Sequence, residues 1–174
     1  TRRMPADEVS LECDDKYTVL IKSGEAEYSV IGFSAEEYPD IPIVDGGKNA
    51  ELSGELLRSM IQQTIFAVSQ NDSKPVHTGI LFEIDDNSIR LVAVDGYRLA
   101  VRTESVTGME SASFVVPGKT LNEISKLIGG EDEKVNIRLG GRHIIFDTGD
   151  YSIISRLLEG EFLDYKSAIP SSAS

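Results

Sequence analysis

The strongest constraint on the fold is a repeat of domain length. The segments Val9-Ser-Leu-Glu-Cys, Tyr17-Thr-Val-Leu and Tyr28-Ser-Val-Ile are separated by the turn pairs Asp14-Asp15 and Ser23-Gly24 and followed by Glu37-Tyr-Pro-Asp40. They recur as Val135-Asn-Ile-Arg-Leu, His143-Ile-Ile-Phe and Tyr151-Ser-Ile-Ile, with Gly140-Gly141 and Thr148-Gly149 between them and Glu161-Phe-Leu-Asp164 after, at offsets of 123 to 126 residues. Apolar and polar residues alternating between turn pairs mark half-buried strands. So long an offset exceeds the roughly 20 to 50 residues of a solenoid repeat, and the repeated unit is therefore a domain. At 174 residues the chain has room for one domain of about 100 to 150 residues and a remainder. Residues 1–48 thus read as the C-terminal part of one domain plus a linker, and residues 49–170 as a complete second copy.

Between the two repeats lie other elements. Residues 34–49, with Pro39, Pro42 and Gly46-Gly47, are rich in breakers and read as the linker. From about Leu52 a helix is predicted with Ser53 as N-cap, because Leu57, Met60, Ile61, Ile65 and Val68 recur at helical spacing while Arg58, Gln62, Gln63 and Ser69 face away. The loop at 70–75 ends it. Residues 78–84, 88–94, 97–103 and 113–116 then read as a meander of antiparallel strands. A second helix over 118–128 turns Leu121, Ile124, Leu127 and Ile128 inward, shows Lys119, Asn122 and Lys126 outward, and stops at Gly129-Gly130.

Composition excludes several classes. No apolar run approaches the roughly 18 residues of a membrane span, and no basic-apolar-small leader opens the chain. The chain also lacks an initiator Met, which reads Thr1 as the start of an excised piece. The single cysteine, Cys13, forms no internal disulfide, suits a reducing cytoplasm, and alternates with Val9 and Leu11 as a small core residue. A net charge of −12, from 29 acids and 17 bases, argues against nucleic acid if it is evenly spread. It is not, since the first helix carries only Glu55 and Arg58 and the second Lys119, Glu123 and Lys126. Such near-neutral helical faces suit either a duplex channel or an ordinary solvated surface.

No catalytic motif survives inspection. Pro117-Gly118-Lys119-Thr120 looks like the end of a P-loop, but the glycine the motif requires at 113 is Ser. His77 and His143 are far apart with no cysteine or histidine at ligand spacing, so neither a zinc site nor any other metal or cofactor is expected. His143 reads as sheet surface, and no nucleophile stands beside a base.

Residues 91–102 read Leu-Val-Ala-Val-Asp-Gly-Tyr-Arg-Leu-Ala-Val-Arg, two strand-like runs joined through Asp95-Gly96, the signal for a two-residue type I′ hairpin. A buried hairpin is the plain reading. Tyr97 and Arg98 at its mouth equally suit the floor and clamp of a partner site. With Thr78-Gly-Ile-Leu-Phe-Glu83 before it and Ser155-Arg-Leu-Leu-Glu-Gly-Glu-Phe-Leu-Asp-Tyr165 after it, this stretch resembles the bacterial DNA polymerase III β subunit family, the replication sliding clamps.

That resemblance implies an α+β architecture, the DNA clamp fold, with antiparallel sheets outside and two helices on the inner face of the middle domain. By it, residues 1–48 end the first clamp domain, 49–170 are the middle domain, and 171–174 begin the linker to a last domain that is missing here. It implies a non-catalytic processivity factor without cofactor, a homodimeric ring of six domains around double-stranded DNA. The ring tethers DNA polymerase III, is handled by clamp-loader subunits, and lies in the bacterial cytoplasm at the nucleoid. Carried over by position, the middle-domain wall of the partner-peptide groove is His77, Val94, Gly96, Tyr97, Arg98 and Leu99, with Pro170 from the exit linker, and the DNA-facing cations are Arg58, Lys74, Lys119 and Lys126. The chain departs from the family where His77 replaces a common aliphatic residue and where Pro75 and Val76 replace common aromatics. Lacking a last domain, the chain by itself is expected to be a monomer. A generic β-rich protein-interaction module without a DNA role is the competing reading.

Overall fold

Residues 4–40, 42, 44, 47–130 and 133–169 are described by a computed structural model of the chain. It divides into two compact units, residues 1–41 and 42–174.

The first unit is one antiparallel sheet of β1 (Ser10–Cys13), β2 (Thr18–Ser23) and β3 (Ala26–Ile31), followed by a 3₁₀ turn at Ala35–Glu37. Asp14 builds the first turn, its Oδ1 accepting from the backbone N–H of Lys16 at 2.9 Å and of Thr18 at 2.8 Å. Cross-strand pairing sets Leu11 beside Ile21 and Tyr28, and Cys13 beside Val19 and Val30, so one face is apolar except at Ser23. Among the described residues of this unit no second sheet or helix packs on that face, and only its Ser23 end is closed, by hydrogen bonds with Ala6. Cys13 is accordingly exposed, not a core residue as its alternation predicts.

The second unit begins with β4 (Lys48–Ser53), α1 (Gly54–Gln62), β5 (Gly79–Ile84), β6 (Ser88–Val94), β7 (Leu99–Ser105) and β8 (Ala112–Pro117). It continues with α2 (Gly118–Leu127), β9 (Lys134–Gly140), β10 (His143–Asp147), β11 (Ser152–Arg156) and the short α3 (Tyr165–Ala168). Its sheets run β11-β10-β9-β4 and β7-β6-β5-β8, antiparallel throughout. A single core joins the two sheets and two helices, from Leu57, Met60 and Ile61 of α1 and Leu121 and Ile124 of α2 to Ile80, Phe82 and Leu91 of one sheet and Ile137, Ile144 and Phe146 of the other. Phe82 stacks on its cross-strand partner Phe114 with ring centroids 5.3 Å apart.

The repeat has a structural counterpart. Leu11, Ile21 and Tyr28 form one cross-strand row in the first unit, and Ile137, Phe146 and Ile153 form the equivalent row in the second. The offset from Leu11 to Ile137 is 126 residues, but from Ile21 to Phe146 and from Tyr28 to Ile153 it is 125. Thus Tyr28 matches Ile153 rather than Tyr151, and Val19 rather than Thr18 matches Ile144. The second-unit row is buried at Ile137 and Phe146 and partly buried at Ile153, whereas the first-unit row is half-buried at Ile21 and open at Leu11 and Tyr28, with Phe146 at 0% exposure and Leu11 at 65%.

Four sequence expectations change. The expected linker ends in β4, which pairs along its whole length with β9. Ser53 does cap α1, its Oγ accepting from Leu56 N–H, but the helix stops at Gln62 instead of running through Val68. The buried Thr64 hydroxyl donates to the carbonyls of Met60 and Ile61, and a separate 3₁₀ turn follows at Ile65–Ala67. The strands are no simple meander, because β8 returns to pair with β5 on the far side from β7. Leu127, expected inward, is 38% exposed because α2 turns Leu121 and Ile124 to the core, and Ile128 at its C-cap, 2% exposed, takes the inward place.

Candidate functional site

The sheet carrying the β6–β7 hairpin is largely buried on both faces along β5 and β6. Side chains alternate along strands, so Ile80, Phe82, Leu91 and Ala93 enter the main core while Leu81, Val92 and Val115 point the other way and build a second apolar cluster with Val76 and Tyr165. Leu99, Leu158 and Phe162 close its partly exposed rim. The chain after β11 forms this cover, and Leu158 N–H donates to Val115 O at 3.0 Å. Deepest in the cover is Tyr165, 4% exposed. Its hydroxyl donates to the Glu83 carboxylate and accepts from Arg90 Nη1 at 3.2 Å. Arg90 Nη1 also donates to Glu83 Oε2 at 3.2 Å, and Arg90 Nε to Thr103 Oγ1 at 3.1 Å. Burial, and then the Glu83 bond, raise the Tyr165 pKa, keeping the phenol a donor.

The hairpin tip differs from the two-residue turn read from Asp95-Gly96. Val94 pairs with Leu99, which leaves the four residues Asp95, Gly96, Tyr97 and Arg98 in the connection. The Asp95 side chain organises it. Its Oδ1 accepts from the N–H groups of Tyr97 and Arg98, both at 3.1 Å, and its Oδ2 from Arg98 Nε at 2.7 Å. The Tyr97 N–H bond first, and the Arg98 side chain second, hold this carboxyl below its ordinary range. Only Gly96 of the four has positive φ, +89°. The Arg98 guanidinium lies over the Phe66 ring at 5.7 Å from its centroid, and Tyr97 is fully exposed.

Of the groove residues carried over by position, Val94 and Leu99 share a cross-strand row beside the second cluster, while Gly96, Tyr97 and Arg98 form the tip next to it. His77 joins through Phe162, the rings meeting edge to face at 70° with centroids 5.3 Å apart. Burial, and secondarily Lys74, lower the His77 pKa. Pro170 lies outside the described residues. What the sequence reading missed is the material behind the wall, namely Phe66, Leu158, Phe162 and Tyr165. The continuous apolar run Gly79-Ile-Leu-Phe in β5 was the available sign of a second buried face.

The DNA-facing candidates distribute over the helical layer. Helices α1 and α2 pack on one another. Arg58 reaches from α1 to the loop after α2, its Nη2 donating to Gly129 O at 3.2 Å, and its Nε is buried without a partner among the described residues. Lys126 pairs with Glu123 at 2.7 Å. Lys119 borders a cleft of about 490 Å³ with Ser69, Gln70, Asp72 and Asn122. Lys74 is exposed at the start of the 3₁₀ turn Pro75–Thr78. Among the described residues no three His, Cys, Asp or Glu side chains are placed to hold a metal ion, and no helix is long and apolar enough to cross a membrane.

Comparison with known proteins gives this geometry a lineage. The sequence model of the family described as DNA polymerase III beta subunit, central domain, matches residues 51–164. Proteins named beta sliding clamp are similar along nearly the whole chain. That of Staphylococcus epidermidis is 35% identical over 170 residues, 97% of this chain and 45% of its own length, and that of Bacillus subtilis 33% identical over 171 residues with the same coverage. Among solved structures, a putative DNA polymerase III beta subunit from Eubacterium rectale matches with a TM-score of 0.82 at 37% identity over 98% of this chain and 47% of its own. The Bacillus subtilis DNA polymerase sliding clamp also gives 0.82, at 32% identity, covering 98% and 46%. The chain therefore spans less than half the length of the relatives it matches. On the match through residues 51–164, more than half of the chain, the protein belongs to the DNA polymerase III beta subunit family.

Proposed function

We propose that this chain is the middle portion of a replicative sliding clamp, a non-catalytic processivity factor that encircles duplex DNA and tethers DNA polymerase III and other replication and repair proteins. The observation that carries the reading is the match of residues 51–164 to the central domain of the beta subunit. In the parent protein, residues 1–48 would end the first clamp domain, 49–170 form the middle one, and 171–174 lead to the last, in a head-to-tail homodimeric ring working in the bacterial cytoplasm. Two similar three-stranded meanders, one in each unit, support that division.

The helical layer would face the duplex. Its cations Arg58, Lys119 and Lys126, with Lys74, would meet phosphates without regard to sequence. The rim of the second cluster would receive partner peptides, Leu99 and Val94 giving apolar floor, Arg98 a donor, and His77, Gly96, Tyr97 and Pro170 the edges. A chimera tests the reading: residues 51–164 replace the corresponding segment of the Bacillus subtilis sliding clamp, and primer extension by that organism's replicative polymerase is followed on primed circular DNA. Long products dependent on the chimera are expected. Products no longer than those made without any clamp would refute the proposal.

A further inference from the structure

We infer that Phe66 is a positioning residue for Arg98, presenting its guanidinium to a side-chain amide or carboxylate oxygen of the docked peptide; this rests on the peptide-docking reading above. A long arginine side chain on an exposed loop ordinarily samples many rotamers, and fixing it costs entropy at the moment of binding. Here two contacts have already fixed it. Asp95 Oδ2 takes Nε–H at 2.7 Å, which sets the plane of the guanidinium, and the Phe66 ring lies beneath it with its centroid 5.7 Å from the central carbon. Arg98 backbone N–H is bound to the same carboxylate at 3.1 Å, so main chain and side chain are held from one anchor. With Nε occupied, the two Nη groups carry no hydrogen bond among the described residues, and they form the parallel pair of donors that suits an amide or carboxylate oxygen.

Phe66 is otherwise hard to account for. It belongs to the 3₁₀ turn Ile65–Ala67, where Ala67 is buried in the main core and Ile65 packs against that core, yet Phe66 itself is 55% exposed. A large aromatic left open on a turn whose neighbours supply the packing contributes little to the fold, but its π face is the surface on which a guanidinium rests. The turn follows directly on Thr64, whose hydroxyl donates to the Met60 and Ile61 carbonyls at the end of α1, and it packs against β6.

The test is an NMR titration of this chain with a synthetic peptide bearing a glutamine followed by leucine and phenylalanine, and with the same peptide carrying alanine for glutamine. Wild type, Phe66→Leu, Phe66→Tyr, Arg98→Ala and the double variant Phe66→Leu/Arg98→Ala are compared, with thermal unfolding of each. Phe66→Leu should weaken the glutamine peptide by about two- to fivefold, shift the Arg98 Nε–H resonance as the ring current is lost, and leave both the alanine peptide and the melting temperature unchanged. Phe66→Tyr should bind as wild type, and in the Arg98→Ala background Phe66→Leu should have no further effect. Equal loss with and without Arg98, or no loss at all, overturns the inference while leaving the docking site standing. Indifference of the glutamine peptide to Arg98→Ala removes the docking reading itself, and this inference with it.

Discussion

Gly79 starts β5 with extended backbone, φ −128°, and no room for a side chain. A Cβ there would stand 2.4 Å from Val116 O, 2.8 Å from Leu158 Cδ1 and 2.9 Å from Val115 Cγ1. The strand pairing and the outer cover both close on that point, so Gly79→Ala should destabilise the second unit by about 1 to 3 kcal/mol, the usual range for overpacking, as read by urea denaturation. Gly96 poses the opposite case, with open space but φ +89°. The same substitution there should cost only backbone strain, about 1 to 2 kcal/mol. His77 gives a pH signature. Its pKa is lowered in the folded chain, so the unfolded chain binds the proton more readily. Stability from this group is complete above the ordinary imidazole value of about 6.5 and declines as pH falls through the depressed folded value. A scan of melting temperature between pH 8 and 5 should lose part of its acid-side slope in His77→Gln; an unchanged slope would contradict the packing against Phe162. Single residues were also where the sequence misled most. Alternation marked Cys13 as core, but alternation says only which side of a strand a residue takes, and among the described residues of the first unit nothing buries that side at Cys13.

At the scale of elements, α2 separates two kinds of apolar residue that periodicity alone ran together. Ile124 is 1% exposed and Leu127 is 38% exposed. Truncating the buried one, Ile124→Ala, should cost about 2 to 5 kcal/mol, while Leu127→Ala should stay within about 0.5 kcal/mol. Equal effects in a denaturation series would mean the helix is rotated from the orientation described. The helices were legible because capping and periodicity are local: Ser53 and the inward-facing Leu57, Met60, Ile61, Leu121 and Ile124 all carry their signal within one turn of chain. The early stop of α1 was also local, but threonine competes with helical hydrogen bonds only when its hydroxyl finds carbonyls to bond, as Thr64 does with Met60 and Ile61. The partner wall was legible at its tip, where Asp95 to Leu99 are contiguous, and not behind it, where Phe66, Phe162 and Tyr165 arrive from distant segments. Pairings were least legible. Nothing in Ala112–Pro117 announces that it crosses to β5, because a strand's partner is fixed by the core and not by its own residues.

Across the whole molecule apolar burial is uneven. Every buried hydrophobic residue described belongs to the second unit, and among the described residues of the first only Ser23 is buried. Hydrogen exchange should therefore find amides of β2 opening orders of magnitude faster than those of β6 or β9; comparable protection would show a cover for the first sheet that its own residues do not provide. If the ring reading is right, the chain by itself should elute mainly as a monomer, and a ring-sized oligomer in light scattering would contradict it. The apolar row Leu11, Ile21, Tyr28 is a route to weak self-association, which the net charge of −12 opposes and added salt should strengthen. The pairing of β4 with β9 matters at the moment of synthesis. Ser53 pairs with Lys134 and Lys48 with Leu139, separations of 81 and 91 residues. At about 5 to 20 residues per second a ribosome needs roughly 4 to 18 seconds to make that much chain, and throughout that interval β4 has emerged with no strand to join. Its sequence, Lys-Asn-Ala-Glu-Leu-Ser, carries one large apolar side chain and two charges in six residues. That is a strand too polar to recruit a wrong neighbour while it waits, and its weak signal in the sequence is the mark of that safety.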